Sequence, residues 1–244
     1  MTNYIKIDIN ADVGEGIDNE ELLFPLISSC NIACRGHAGN YRTMEKVVGL
    51  AIEHNLKIGA HPSYPDKENF GRKKISISKK ELIKSIYKQV NSLKNILDKQ
   101  KIKLNHIKPH GALYNHAFSD IETSEILIQI AKDFETKLYT PYSSITSQIA
   151  KTSGIEFCNE VFLDRNYNSD LTLVSRINNN ALINRSFEMN SHAFNILKNK
   201  NLISIDGKKI KIEFDTLCIH GDNPNSINLL ESLHQKLRKW GFKT

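Results

Sequence analysis

Four histidines of this 244-residue chain follow short apolar runs that close on a glycine or proline turn: Asn31-Ile-Ala-Cys-Arg-Gly-His37, Ile58-Gly-Ala-His61, His106-Ile-Lys-Pro-His110 and Leu217-Cys-Ile-His220. Imidazoles at such positions carry protons near neutral pH and ligate metals. Carboxylates stand in the same setting near the N-terminus, where Asp8, Asn10 and Asp12 alternate with Ile7, Ile9 and Ala11 before Gly14-Glu15-Gly16. Period-two alternation turns those polar residues to one face of a strand, and ionised groups facing a dry interior need partners or a cation. Lys108 and His110 also share a face, so a cation and an imidazole project together, as holding an anion and moving a proton require. Asp222, two residues past His220, can orient that ring, join it on a metal or open the cap of the last helix. Asp164-Arg165 suits either a structural ion pair or a ligand contact.

The elements that must position these groups are legible from periodicity. Apolar runs predict seven strands: Ile5 to Asp12, a run ending near Cys34, Leu56 to Ala60, Leu104 to Pro109, Leu138-Tyr139, Ile155 to Val161 and Thr216 to Ile219. Between them, Met44, Val47, Val48, Ala51 and Ile52 fall on one helical face, and Ser78 with Glu81 forms a capping box ahead of Leu82, Ile86, Val90, Leu93 and Leu97. Further helices are expected over 123–134, 144–151 and 226–240, a short strand over 171–176, and a hairpin over 202–212 turning at Asp206-Gly207. Repeated βα units imply parallel strands with right-handed crossovers, in an α/β barrel or a doubly wound sheet. No linker composition divides the chain, so one domain over 1–244 is expected.

A formal net charge of +6 raises the question of nucleic acid, but Lys79, Lys80, Lys84, Lys88 and Lys94 interleave with apolar residues as a solvated helix face does, and no nucleic-acid-binding motif is present. Neither a signal peptide's apolar core nor a membrane-length apolar stretch is found, which points to a cytoplasmic protein without a membrane partner. The four cysteines lack a Cys-x-x-Cys pair and read as reduced, packed thiols. There is also no Walker A loop or G-x-G-x-x-G fingerprint.

Taken in order, Asp8-Ile-Asn-Ala-Asp-Val-Gly-Glu15, Asn31 to Gly39, Ile58-Gly-Ala-His-Pro-Ser-Tyr-Pro-Asp66 with Phe70-Gly-Arg72, Lys108-Pro-His-Gly-Ala-Leu-Tyr-Asn115, Glu160-Val-Phe-Leu-Asp-Arg165 and Leu217-Cys-Ile-His-Gly-Asp222 resemble the LamB/YcsF family over essentially the whole chain. The resemblance implies an irregular seven-stranded β/α barrel of the glycoside hydrolase/deacetylase type. It also implies ATP-dependent opening of the lactam of 5-oxo-L-proline to L-glutamate, with ADP and phosphate as the other products and two further 5-oxoprolinase subunits as partners. ATP is the implied cofactor, and the substrate is a small molecule. Within the matching stretches Asp8, Asn10, Asp12, Glu15, His37, His61, Lys108, His110 and His220 are assigned catalytic roles, and Arg72, Tyr114, Asp164, Arg165 and Asp222 substrate contacts. A looser likeness to YdjC-like deacetylases implies a divalent metal on Asp12, His61 and His110, with Asp8 or Glu15 as base.

Two positions depart from the family pattern. Arg35 stands where a glycine or small residue is usual, and Asn40 where an aspartate is usual; an added anion contact and a lost carboxylate are the expected effects. Alternative functions are a stand-alone metal-dependent amidase or carbohydrate deacetylase, and a non-catalytic substrate-binding subunit.

Overall fold

The computed structural model describes residues 4–244, so the first three residues of the expected 1–244 domain lie outside the described residues. Seven parallel strands, β1 (Asp8–Val13), β2 (Ser29–Ala33), β3 (Lys57–His61), β4 (His106–Ile107), β5 (Lys137–Pro141), β6 (Phe157–Phe162) and β7 (Thr216–His220), close a barrel in chain order, with β7 pairing both β6 and β1. This resolves the choice between barrel and doubly wound sheet. The barrel is irregular because β4 spans two residues.

Outward-facing Ile9, Ala11, Ile32, Ile58, Ile107, Leu217 and Ile219 pack in the apolar core shared with the surrounding helices. Helix Tyr41–Glu53 buries Met44, Val47, Val48 and Ala51, the face its spacing predicts. Helix Lys79–Lys99 starts at the expected capping box, where Ser78 Oγ accepts from the Glu81 amide and Glu81 Oε2 from the Ser78 amide, each at 3.3 Å. Helices Ile121–Asp133, Ile145–Thr152 and Ser226–Trp240 also fall where expected. So does the hairpin, Asn201–Ile203 against Lys209–Lys211.

Three expectations change. The 171–176 segment is not a strand: a single bridge, Tyr167 to Leu173, is its only ladder contact. Two helices lack a strong sequence signal. Gly111–Ala117 is short and begins at a glycine, and Ser186–Asn199 dilutes buried Met189, Ala193, Ile196 and Leu197 with weak helix formers such as Asn190, Ser191 and Asn195. The first run divides, since Ile5–Lys6 pairs with Phe242–Lys243 outside the barrel while Asp8–Val13 enters it. No helix among the described residues is long and apolar enough to cross a membrane.

The barrel interior is polar. Asn10, Asp12, Asn31, His106, Lys108 and Glu160 are all buried there, and a neutral His106 forms part of its packing: Nε2 donates to Asn31 Oδ1 at 2.6 Å and the ring stacks on Tyr139 with centroids 3.8 Å apart. Gly59 makes room for that ring, because a Cβ there would lie 2.1 Å from His106 Nε2. Gly59→Ala is therefore expected to destabilise the protein by about 3 kcal/mol or more, the penalty of overpacking a filled interior and breaking a buried hydrogen bond. Urea denaturation of the variant measures it, and a loss below about 1 kcal/mol would show that the ring relocates freely.

Candidate active site

A buried ammonium organises the carboxyl end of the barrel. Lys108, just past β4, is 1% exposed, and its Nζ donates to Asp12 Oδ1 at 2.8 Å and lies 3.2 Å from Glu160 Oε1. Burial alone would strip its proton, yet Asp12 leads the neighbouring charges that hold its pKa well above the usual lysine value. Burial also opposes the Asp12 carboxylate, and His61 and Lys108 overcome it to keep that carboxyl well below its ordinary range. Amides fix the carboxylates in turn: Asn31 Nδ2 donates to Asp12 Oδ1 at 2.8 Å and to Asn10 Oδ1 at 2.7 Å, while Asn10 Nδ2 donates to Glu160 Oε1 at 2.8 Å.

Beside this pair Glu15, His37, His61 and His110 turn ligand atoms toward one another, all within 4.8 Å. Their tautomers follow from their partners. His61 Nδ1 lies 2.7 Å from the Lys108 carbonyl and His110 Nε2 3.0 Å from the Phe70 carbonyl; a carbonyl only accepts, so both nitrogens carry hydrogen. The opposite nitrogens, His61 Nε2 and His110 Nδ1, then face each other 2.9 Å apart as lone pairs. Glu15 Oε1 stands 3.3 Å from His110 Nδ1 and 2.8 Å from His37 Nε2, and Asp12 Oδ2 3.3 Å from His61 Nε2. Converging lone pairs and carboxylates are stable only with a shared proton or a cation between them. Burial depresses the His37 pKa to about 4 and lowers that of His110, so it disfavours a second proton on either ring. Burial pushes the Glu15 carboxyl up, but the neighbouring His110 and His37 rings hold it below the usual range. Three imidazoles and a carboxylate thus fit a divalent transition metal better than magnesium or calcium.

A third arrangement stands on β7. His220 Nδ1 donates to Asp164 Oδ1 at 2.9 Å and its ring stacks on Phe162, leaving Nε2 free. Asp164 is fully buried; burial raises its carboxyl, and the charge of His220 leads the effects that bring it below the ordinary value. Asp12, His61, Lys108, His110, Glu160 and His220 all line one cavity of about 570 Å³, together with Tyr114, Arg72, Arg165 and Arg176. Glu15 and His37 stand behind His61 and His110.

Most residues expected from the sequence are thus brought together. Asp8 is not: it sits at the amino end of β1, where its carboxylate accepts from Ser29 and Thr216 hydroxyls at 2.7 Å each and meets Lys57 at 2.9 Å, so it cannot serve as the base at the other end. Asn10 lies one layer below the cavity and positions Glu160. Of the expected metal set Asp12, His61 and His110, the two histidines face Glu15 and His37, while Asp12 Oδ1 meets Lys108 and Asn31 and its Oδ2 stands 3.3 Å from His61 Nε2. Asp222 lies on Arg72 at the cavity mouth and does not cap the last helix, whose N-cap is Asn225. Gly36 and Gly111 pack closely against protein, since a Cβ would meet Gln89 Oε1 at 2.2 Å and the Gly71 carbonyl at 2.7 Å. Residues missed are Asn31 and Glu160, quoted in motifs for their neighbours, Arg176, and Cys218, whose Sγ lies 2.9 Å from Lys108 Nζ. Among the described residues all four cysteines are free, with Cys30, Cys34 and Cys218 buried and Cys158 half-buried.

Neither departure from the family pattern enters the cavity. Asn40 is exposed and caps helix Tyr41–Glu53, its Oδ1 accepting from the Thr43 amide at 3.0 Å. Arg35 is exposed with φ at 73°, a left-handed conformation that glycine adopts without strain.

Residues 7–244 match the model of the LamB/YcsF family. A protein of Haemophilus influenzae (strain PittEE), named as a 5-oxoprolinase subunit, is 37% identical over 236 residues, which cover 96% of each chain. The crystal structure of the lactam utilization protein from Thermus thermophilus matches with a TM-score of 0.91 at 30% identity, covering 98% of this chain and 99% of that one. A family 4 carbohydrate esterase from Streptomyces lividans shares the fold alone, with a TM-score of 0.52 at 10% identity over 100% of this chain and 93% of the esterase.

Three outcomes are expected. Because burial depresses His37 to about 4 and His106 to about 3 from an ordinary 6.5, the unfolded chain binds more protons than the folded one below pH 6.5, and stability falls with acidification. Each ring accounts for about 2 kcal/mol between pH 6.5 and pH 5, which denaturant unfolding at the two values measures; a flat profile would contradict neutral buried rings. Separately, Arg35→Gly should stabilise the fold by about 1 kcal/mol through relief of left-handed strain, and Asn40→Asp should change stability by less than about 0.5 kcal/mol because both residues cap helices.

Proposed function

The chain belongs to the LamB/YcsF family, and from that premise we propose that it is the hydrolytic subunit of an ATP-dependent 5-oxoprolinase, opening the lactam of 5-oxo-L-proline to L-glutamate. In this reading two further subunits complete a cytoplasmic enzyme, and the assembled complex couples ring opening to hydrolysis of ATP to ADP and phosphate. A five-membered lactam is a stable amide, so such coupling is chemically reasonable. The names of the relatives, lactam utilization protein and 5-oxoprolinase subunit, support the substrate class. The observation that carries the reading is the convergence of the Glu15–His37–His61–His110 cluster, the Asp12–Lys108 pair and the His220–Asp164 pair on one cavity.

Ring opening adds water to the carbonyl carbon, breaks the carbon–nitrogen bond and delivers a proton to the departing nitrogen. His220 is arranged for that proton: Asp164 holds its Nδ1–H, so Nε2 can accept from the attacking water and return the proton to nitrogen. Asp164 fixes the ring and stabilises its charged form. Lys108 and Asn31 hold Asp12 at the cavity floor, where its carboxylate faces His61. A divalent metal held by Glu15, His37, His61 and His110 would supply Lewis-acid polarisation of the carbonyl. Phe162 and Tyr114 wall the cavity with aromatic surface beside His220.

The test is glutamate and ADP formation from 5-oxoproline and ATP by the chain reconstituted with its two partner subunits. His220→Ala should lower kcat by about 100-fold or more with KM changed only a few-fold, the loss of a proton carrier rather than of binding. Undiminished kcat in the folded variant would remove His220 from the chemistry. Turnover of an amide by the chain alone, without ATP, would favour the stand-alone amidase instead.

A further inference from the structure

The cavity mouth holds more guanidinium groups than its carboxylates answer. Arg165 is buried and spent on backbone, its Nη2 donating to the Val174 carbonyl at 2.7 Å and its Nε to that of Ala181 at 3.3 Å. These bonds brace the loop that carries Arg176. Burial, and then the charge of Arg176, lower the Arg165 pKa to about 10. Asp164, its neighbour, is taken by His220. Asp222 alone is left for the other two arginines: Arg72 donates to its Oδ2, and Arg176 Nη1 stands 3.7 Å from the same oxygen with its side chain 30% exposed. Among the described residues no other ion pair holds Arg72 or Arg176.

This group is tied to both parts of the floor. Arg72 follows Phe70 and Gly71; the Phe70 carbonyl accepts from His110, and a Cβ on Gly71 would lie 3.0 Å from His37 Cβ and 3.2 Å from His110 Cδ2. Asp222 follows His220 by two residues. Arg72 and Arg176 line the same cavity as His61, His110 and His220, so an anion held by these arginines shares that cavity with them.

We propose that Arg176, with Arg72, is the anchor for the substrate's carboxylate, and that Asp222 occupies the anchor in the free protein and yields it when the substrate arrives. The proposal rests on the 5-oxoproline reading, whose substrate carries a carboxylate on the ring carbon next to nitrogen. Guanidinium groups match a carboxylate through paired N–H donors, and an internal carboxylate in their place keeps them oriented at the expense of affinity.

The experiment compares equilibrium binding of 5-oxo-L-proline with that of 2-pyrrolidinone, the same lactam without the carboxylate. Calorimetry is run on the full chain and on its reconstituted complex. Arg176→Ala should weaken 5-oxoproline by about 10- to 100-fold and leave 2-pyrrolidinone within about twofold. Arg176→Lys should restore part of the loss, since it keeps the charge without the planar donor pair. Asp222→Asn should tighten 5-oxoproline by removing the competitor. Equal loss for both ligands in Arg176→Ala, or weaker 5-oxoproline binding in Asp222→Asn, overturns the anchor and leaves the functional reading standing. A wild-type protein that binds neither ligand overturns both.

Discussion

The buried ammonium of Lys108 is the constraint on which the carboxyl end of the barrel depends. A lone charge in that interior would cost several kcal/mol, so the strands around it must supply carboxylates, and the carboxylates in turn need donors. Asp12 comes from β1 and Glu160 from β6, with Asn10 and Asn31 joining the two through amide hydrogen bonds. A usual barrel interior is filled with branched apolar layers; here a hydrogen-bonded polar core fills it, and each side chain's direction is fixed by the next. The same lysine positions the histidine cluster through its backbone, because its carbonyl takes the Nδ1 hydrogen of His61. One residue thus sets both the charge balance and a tautomer.

That tautomer links fold to chemistry. Two histidines whose outer nitrogens are committed to main-chain carbonyls have no freedom to turn their lone pairs away from each other, and stacking of His37 on His110 at 3.6 Å prevents the third ring from swinging out. The repulsion is held in place by the backbone of Phe70 and of Lys108. A cation relieves it, so the apposition that destabilises the free cluster is the arrangement that favours metal.

How much of this the residues disclose by themselves depends on which coordinate each signal reports. Alternation over Asp8 to Asp12 fixes the inward direction of all three polar residues correctly but is silent on height, and four residues of strand span roughly 13 Å, which takes Asp8 to the opposite end from the site. His61 and His110 are legible because strand ends fix height as well. The union of Glu15 and His37 with them is not, since it arises from loops after β1 and β2 folding over the barrel, and loop paths leave no periodic trace. Asn40 misleads for a different reason: an amide at a helix start reads equally as cap or as site residue, and only its bond to the Thr43 amide decides. Seven strands and the helices Tyr41–Glu53, Lys79–Lys99, Ile121–Asp133 and Ser226–Trp240, by contrast, follow directly from apolar runs and the 3.6-residue period.

Charge along the cavity gives the site a direction. At the floor Asp12, Glu15 and Glu160 outnumber Lys108, while burial disfavours charge on the flanking imidazoles of His37 and His110. At the mouth Arg72, Arg165 and Arg176 outnumber Asp164 and Asp222. A negative floor beneath a positive mouth attracts a cation inward and holds an anion outward, and reversal of either is opposed by like charge. A small ligand with a carboxylate at one end and a neutral amide at the other has one favourable orientation in such a field, amide down. In the proposed reading its carbonyl would then meet the histidine cluster and its nitrogen would face His220. Orientation therefore precedes chemistry here, and it is set by two sets of charges on opposite ends of the same strand-end loops.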